Sequence, residues 1–263
     1  MNNIEIVFSK FDSLSQIGSM EQYSNYLNTI YPNSKVKNIV FRGATDKSYK
    51  MGSNQSVIDL TFFTGSQEAA NKYAEISAKK YSSSPLTIMA VVNASNPLIT
   101  NNVTNIGRII NLNYYLKSKN INVDNSEKIL SSLDDISTIK MFVPVFDAKE
   151  LRKQAPIFGG DISHLSDEEL EIAYNYSPTN ANMDIKDKLI KLGYDSVIVK
   201  ESKDWFDFDY DQIGVLEGNY LVLGSEEDIN GFKNFVGNKK LTSEINEIKI
   251  LLKKLMVWQT QKY

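Results

Sequence analysis

Short apolar runs that end at glycine, asparagine or proline alternate with segments of helical periodicity near both ends of the chain. The runs have the length and composition of strands, and they are KNIVFR (37–42), LTFFT (60–64), LTIMAVV (86–92) and YDSVIVK (194–200). Ser66 is a suitable N-cap for a helix over Gln67–Lys79. The middle segment, 100–185, is mainly helical in pattern, and a capping box at Ser166 begins one of its helices. The sequence therefore predicts an α+β fold with a helical insert at 100–185.

Three segments complete this organisation. The run Ile4–Ser9 predicts a first strand, and Met141–Phe146 predicts either an edge strand or a bend, because it contains Pro144. The segment Thr242–Trp258 predicts an amphipathic helix whose apolar stripe favours packing in the core. We therefore expect residues 1–263 to form a single domain, with 230–263 as a C-terminal helical extension.

Composition excludes several classes of site. The 263 residues contain no cysteine and one histidine, which excludes disulfides, thiolate nucleophiles, zinc–thiolate sites and sites that need two imidazoles. We therefore expect no metal site. The net charge of −3 disfavours binding of polyanions by charge alone. The chain lacks an apolar run of about 18 residues, and its first residues lack the pattern of a secretory signal, so we expect a cytoplasmic protein with no membrane partner.

Three local features combine residue types that bind anionic or planar ligands. Arg42-Gly43 ends the first apolar run, where a guanidinium can clamp a phosphate and a glycine lets a ligand approach the backbone. The competing interpretation is a turn with a solvated arginine. Tyr73 lies one helical turn beyond two alanines, so its ring reaches a cleft or packs in the core. Glu217 lies just ahead of a late strand, in a stretch that also has ordinary hairpin-turn composition.

Taken in order, these features resemble the ADP-ribosyltransferase fold, in the variant found in polyvalent proteins of phages and mobile elements. The stretches that carry the resemblance are IVFRGA (39–44), LTFFTGSQEAANKYA (60–74), NASNPLI (93–99), LIKLGYDSVIV (189–199) and NYLVLGSEEDI (219–229). The resemblance implies a split β-sheet cleft, formed by two short sheets, with the helical insert beside it. It also implies NAD as substrate and a macromolecular target, for which the net charge favours a protein over a nucleic acid.

The resemblance assigns roles to particular residues. Arg42 would hold the ribose or a phosphate of NAD, and Gly43 would bond the nicotinamide carboxamide through its backbone. Phe63 and Thr64 would form the wall of the cleft. Tyr73 matches the tyrosine that stacks on nicotinamide in the histidine-tyrosine-glutamate class, whereas Arg42 is typical of the arginine-serine-glutamate class. The motif set is therefore a hybrid of two classes.

The chain departs from the family at the catalytic glutamate, because Asn219 holds that position. The carboxylate stabilises the oxocarbenium-like charge that develops as nicotinamide leaves, and an amide carries no charge to do so. Glu217 lies on the same face of an extended chain and matches the first glutamate of a Glu-x-Glu pair.

Two functions therefore remain open. One is an NAD-dependent ADP-ribosyltransferase, a phage-encoded effector acting on host machinery in the host cytoplasm, with Arg42 and either Glu217 or Asn219 as catalytic residues. The other is a catalytically inactive module of the same fold that binds a host or virion protein.

Two further features favour simpler interpretations. His164 lies in a polar stretch before a helix, which is typical of a loop histidine. The acidic aromatic segment 201–212 lacks the glycine and glutamate offsets of an EF-hand loop, so it predicts a flap or a partner-binding loop and not a calcium site.

Overall fold

The computed structural model describes residues 3–46, 60–100, 106–122, 126–176, 184–203 and 209–260. The elements in chain order are α1 (Ile4–Lys10), α2 (Asp12–Ser15), α3 (Met20–Ile30), β1 (Val40–Thr45), β2 (Thr61–Thr64), α4 (Gln67–Tyr81), β3 (Pro85–Val92), β4 (Pro97–Thr100), α5 (Ile106–Ser118), α6 (Ser126–Lys140), α7 (Ala148–Gln154), a 3-10 turn (Ala155–Phe158), α8 (Asp167–Asn175), α9 (Ile185–Leu192), β5 (Ser196–Lys203), β6 (Asp209–Val215), β7 (Tyr220–Val222) and α10 (Glu226–Thr260). The fold is mixed α+β, as the sequence predicts.

The contacts divide the chain into two compact units. The first unit comprises Met1–Met51, Phe63–Ser95 and Gly218–Tyr263, and the second comprises Gly52–Phe62 and Asn96–Glu217. The helices predicted for 100–185 share the second unit with β4, β5 and β6.

In the first unit β1 pairs in antiparallel orientation with β3, and β3 pairs in the same way with β7; β1 also pairs with the end of β2, whose residues Phe63 and Thr64 belong to this unit. Arg42 of β1 lies opposite Ile88 of β3, and Tyr220 of β7 lies opposite Val92 of β3. The strand predicted for Lys37–Arg42 ends at Arg42. The observed strand β1 begins at Val40 and continues through Gly43 to Thr45. Arg42 and Gly43 are therefore neighbours inside a strand, so their side-chain positions lie on opposite faces of the sheet.

An aromatic cluster joins the helices of the first unit. Phe232 of α10 is fully buried, and its ring lies 5.0 Å from that of Tyr23 and 5.7 Å from that of Tyr26, both on α3. Phe41 and Leu221 of the sheet belong to the same core. The first turns of α10 are therefore part of this core.

The strand predicted for Ile4–Ser9 is wrong, because this segment forms helix α1. Ile4, Val7 and Phe8 are spaced three and four residues apart, which places them on one face of a helix. Val7 is fully buried and the other two pack against the same aromatic core. The same letters alternate well enough to resemble a strand, and burial against α3 selects the helix.

The second unit is built on β4, β5 and β6. β4 pairs with β5 in parallel and β5 pairs with β6 in antiparallel orientation. Helices of the predicted insert share one core with these strands, including Leu112, Ile136 and Leu170 beside Val197. The capping box at Ser166 is confirmed: Ser166 Oγ accepts from the Glu169 backbone N–H, and the Glu169 carboxylate accepts from the Ser166 backbone N–H.

Of the two alternatives predicted for Met141–Phe146, an edge strand and a bend, the structure does not have the strand. Helix α6 continues to Lys140, and the residues after it are irregular. Met141 and Phe142 are exposed, and the Phe142 ring stacks on Phe158 at 4.4 Å. The acidic segment 201–212 also differs from a loop, since parts of it belong to β5 and β6, while residues 204–208 lie outside the described residues.

Within the described ranges, none of the helices combines the length and the apolar composition needed to cross a membrane.

A buried carboxyl group links α10 to α3 in the first unit. Asp228 is fully buried, and its Oδ2 accepts hydrogen bonds from the Tyr23 hydroxyl at 2.6 Å and the Gly224 backbone N–H at 2.7 Å. Its Oδ1 has no hydrogen-bond partner among the described residues. Burial raises the pKa of Asp228, the charge of Glu227 adds to the rise, and the two hydrogen bonds oppose it.

This raised pKa makes stability depend on pH. The folded state holds the Asp228 proton more tightly than the unfolded chain, so the stabilising contribution is full below the ordinary aspartate pKa of about 3.9 and is lost as pH rises through the folded value. Asp228→Asn cannot ionise. We expect the free energy of unfolding of the wild type minus that of the variant to fall as pH rises from about 4 towards 7. Urea unfolding of both proteins across that range measures the difference, and a difference independent of pH contradicts the raised pKa.

Candidate functional site

Arg42 lies on a sheet face of the first unit together with aromatic residues. The register that pairs Phe41 with Thr64 brings Phe63 of β2 next to Arg42. Arg42 is half-buried, while Phe63 is almost completely buried. The predicted site residues Arg42 and Phe63 are therefore brought together.

Tyr220 of β7 completes this group. Its ring centroid lies 5.3 Å from that of Phe63, with the two planes tilted by 58°. Burial lowers the pKa of Arg42, and the nearby Tyr220 hydroxyl opposes that shift. Since a guanidinium stays charged in proteins, the result is a half-buried cation beside two aromatic rings. We call Arg42, Phe63 and Tyr220 the arginine–aromatic group.

Gly43 lies on the opposite face of β1, against α4. A Cβ added at Gly43 would lie 2.2 Å from the Ala70 carbonyl oxygen, 2.6 Å from the Ala74 nitrogen and 2.7 Å from the Tyr73 Cβ. The alanines of α4 are buried, as expected for a helix that packs closely on a sheet. Close packing by the helix therefore requires the glycine, whether or not a ligand also approaches it.

The side chains of Tyr73 and Arg42 lie on opposite sides of β1. Tyr73 is half-buried on α4, the helix packed on the Gly43 face, whereas the Arg42 side chain leaves the other face. The predicted pair of Gly43 and Tyr73 is brought together, and the predicted pair of Arg42 and Tyr73 is divided by the strand.

Thr64 shapes the start of α4. It is largely buried, and its Oγ1 accepts a hydrogen bond from the Ser66 backbone N–H at 3.2 Å. Ser66 in turn accepts from the Ala69 N–H, which confirms the predicted N-cap. Thr64 thus holds the strand-to-helix turn next to Phe63.

Asn219 lies just ahead of β7, and its backbone carbonyl accepts a hydrogen bond from the Asn93 N–H at 2.8 Å. On β3, the partner of Tyr220 is Val92 and the partner of Arg42 is Ile88, four residues away. Asn219 precedes Tyr220, so it lies still further from Arg42 along the direction of the strands. Glu217 is exposed and belongs to the second unit.

A cleft of about 550 Å³ lies beside Tyr220 in the first unit. It is lined by Tyr220, Val222, Ser225, Glu226, Glu227 and Asn230. Strand pairing places Tyr220 and Val222 on the sheet face that carries Arg42. Glu226 and Glu227 are therefore the carboxylates that share a cleft with a member of the arginine–aromatic group.

Three residues of this arrangement, Tyr220, Glu226 and Glu227, were not predicted as site residues. Tyr220 is part of the quoted motif, but its place beside Phe63 depends on strand register, which the sequence does not state. His164 lies outside this site: its Nε2 lies 3.0 Å from Ser132 Oγ in the second unit, and it is an exposed loop residue, as predicted.

The arrangement offers three kinds of contact to a ligand. Arg42 supplies a fixed positive charge with paired donors, the Tyr220 ring, which packs on the buried ring of Phe63, supplies aromatic surface, and the nearby cleft supplies carboxylates. Such a set suits a ligand that combines phosphates, planar rings and sugar hydroxyls. Comparison of the chain with protein-family models, with curated proteins and with solved structures returns no match.

Proposed function

We propose that the chain has an ADP-ribosyltransferase-like fold and binds NAD at the arginine–aromatic group. The observation that carries the proposal is the placement of Arg42, Phe63 and Tyr220 on one face of the first unit. The motifs around these residues, IVFRGA, LTFFTGS and NYLVLGS, are the ones that resemble the family. The proposed activity is transfer of ADP-ribose from NAD to a protein of the host of a phage or mobile element.

The reaction requires a positive charge beside the pyrophosphate at the centre of NAD and a negative charge beside the nicotinamide ribose. Arg42 would pair with a phosphate of NAD, and the ring of Tyr220 would lie against a planar base. In the transfer, the bond between the ribose C1′ and nicotinamide breaks, nicotinamide leaves as a neutral molecule, and the target nucleophile bonds to C1′ and gives up its proton. A carboxylate near the ribose would stabilise the positive charge that develops.

Three glutamates are candidates for that carboxylate. Glu217 is the candidate from the sequence motif, whereas Glu226 and Glu227 share a cleft with Tyr220. Asn219 would hold a ribose hydroxyl without contributing charge. Glutamine at positions 217, 226 and 227, introduced one at a time, separates the candidates, because each change removes the charge and keeps the shape.

The test of the proposal is NAD binding and turnover by the full chain. We expect Arg42→Ala to weaken NAD binding by roughly 10- to 100-fold, the range for loss of a charge-assisted hydrogen bond. Arg108→Ala is the matched control, because Arg108 lies in the second unit and pairs with Asp134. Calorimetric titration measures affinity, and nicotinamide release with transfer of labelled ADP-ribose to host lysate measures activity. Wild-type protein that binds NAD no better than Arg42→Ala overturns the proposal.

A second function is favoured by Asn219, the amide at the motif position of the catalytic glutamate. In that alternative the chain keeps the fold and binds a host or virion protein without turning over NAD. NAD binding that depends on Arg42, with neither nicotinamide release nor label transfer in the presence of host lysate, supports the alternative. Release that is lost in one of the three glutamine variants supports the enzyme.

A further inference from the structure

The second half of α10 carries exposed apolar residues at regular spacing. Within α10, Phe232 is buried, and Phe235 and Val236 pack against the core of the first unit. From 237 to 250, every residue whose exposure is described is exposed. Leu241, Ile245 and Ile248 are 57%, 43% and 56% exposed. The predicted packing of the stripe of Thr242–Trp258 in the core is therefore wrong for Ile245 and Ile248, and Leu241, just before the predicted helix, is exposed as well.

The spacing of these residues is that of a coiled coil. Leu241, Ile245 and Ile248 are separated by four and three residues, and the sequence continues the pattern with Leu252 and Leu255. With Ile245 at position a of the heptad, residues 238–258 make three heptads. A single helix of this kind leaves its apolar seam in water, which a second helix would cover.

The polar residues at the edges of the seam indicate a second copy of this chain, aligned in parallel. Glu244 falls at position g and Lys249 at position e of the next heptad, so two parallel copies place opposite charges together on both sides. Asn238 falls at the first a position, where a buried asparagine favours a two-stranded pair in register. The heptad pattern begins at Asn238, directly after the residues that pack in the first unit.

We propose that residues 238–258 of α10 form a parallel, two-stranded coiled coil that makes the chain a homodimer. This inference is independent of the proposed function, since none of its residues belongs to the arginine–aromatic group or to the cleft beside it. Each copy would bury its 241–245–248 stripe against the same stripe of the other.

The first experiment measures oligomeric state with a matched pair of variants. Ile248 and Ile250 are both isoleucines and are 56% and 54% exposed, but Ile248 lies at d and Ile250 at f. We expect a concentration-dependent dimer by sedimentation equilibrium, with Ile248→Lys raising the dissociation constant by at least roughly 100-fold and Ile250→Lys leaving it nearly unchanged. A monomer at all concentrations up to about 100 µM overturns the proposal, as does an equal effect of the two variants.

The second experiment tests orientation through charge. Glu244→Lys should weaken the dimer by roughly tenfold, because it faces lysine at 249 of the other copy, and Lys249→Glu should do the same. The double variant restores the opposite charges and should restore the dimer. Failure of the double variant to do so contradicts the parallel pairing.

Because the chain has no cysteine, a single introduced cysteine can form a disulfide only with the same residue of a second copy. Crosslinking of such variants therefore tests the register of the two helices. Leu241→Cys places one thiol at position d, in the seam, and Lys240→Cys places one at position c, outside the seam. Mild oxidation should crosslink the first variant and leave the second uncrosslinked. Equal crosslinking of both, or of neither, overturns the parallel register.

Discussion

An alanine at position 43 is expected to lower the free energy of unfolding of the first unit by about 3 kcal/mol or more. The added Cβ would lie 2.2 Å from the Ala70 carbonyl oxygen and 2.6 Å from the Ala74 nitrogen. Both are backbone atoms of α4, so no side-chain rotation relieves the overlap and the helix itself must shift. Urea unfolding of the variant and the wild type measures the loss.

Gly65→Ala is the matched control for this change. A Cβ at Gly65 meets nothing within 4 Å, so we expect a change in stability of less than about 0.5 kcal/mol. Equal stability of the Gly43 variant and the wild type would show that the backbone of α4 does not pack this closely against Gly43 of β1. The Gly43 variant also affects how NAD binding is interpreted. If Gly43→Ala loses NAD binding, displacement of α4 is enough to explain the loss, without a contact between Gly43 and the ligand.

Truncation of Phe232 to alanine is expected to cost about 3–5 kcal/mol, the usual range for a fully buried phenylalanine. The ring makes an edge contact with Tyr23 at 5.0 Å and lies 5.7 Å from Tyr26, so its removal leaves a cavity between α3 and α10. Hydrogen exchange of the β3 amides and urea unfolding together report the stability of the first unit.

Phe142→Ala provides the comparison for this truncation. Phe142 is 58% exposed and stacks on Phe158 in the second unit, so its loss should cost no more than about 1 kcal/mol. Similar losses for the two phenylalanines would contradict the placement of Phe232 in the core. A larger rise in β3 exchange for Phe232→Ala than for Phe142→Ala is the expected result.

The local features of the fold were largely predictable. Ser66 and Ser166 cap their helices as predicted, because an N-cap depends on residues only three positions apart. The strands LTFFT and LTIMAVV are present in β2 and β3, since β-branched and aromatic runs of that length have few alternatives. The strand predicted for Ile4–Ser9 is wrong, and Met141–Phe146 is irregular and not an edge strand; both are short apolar runs whose state depends on what they pack against.

The candidate site was predictable only in part. Arg42 and Phe63 were identified from their motifs, and the structure brings them together. Tyr220 joins them through pairing of β7 with β3 and β3 with β1, which is a matter of register between segments far apart in the chain. Glu226 and Glu227 line the cleft because α10 begins at Glu226, separated by three residues from the end of β7 and four residues earlier than the predicted extension.

The sequence by itself determined the α+β class, the helix caps and the residue types available for chemistry: one histidine, no cysteine, and an arginine next to a glycine in an apolar run. Only the tertiary structure places Arg42 on one face with Phe63 and Tyr220, and Gly43 on the opposite face against helix α4. Only the tertiary structure shows that α10 is buried at Phe232 and exposed at Ile248. The physical reason is the separation along the chain over which each interaction acts. Caps and periodicity act over a few residues, whereas strand register and burial are set by contacts between segments further apart in the chain, from 23 residues for Phe41 and Thr64 to 128 residues for Val92 and Tyr220.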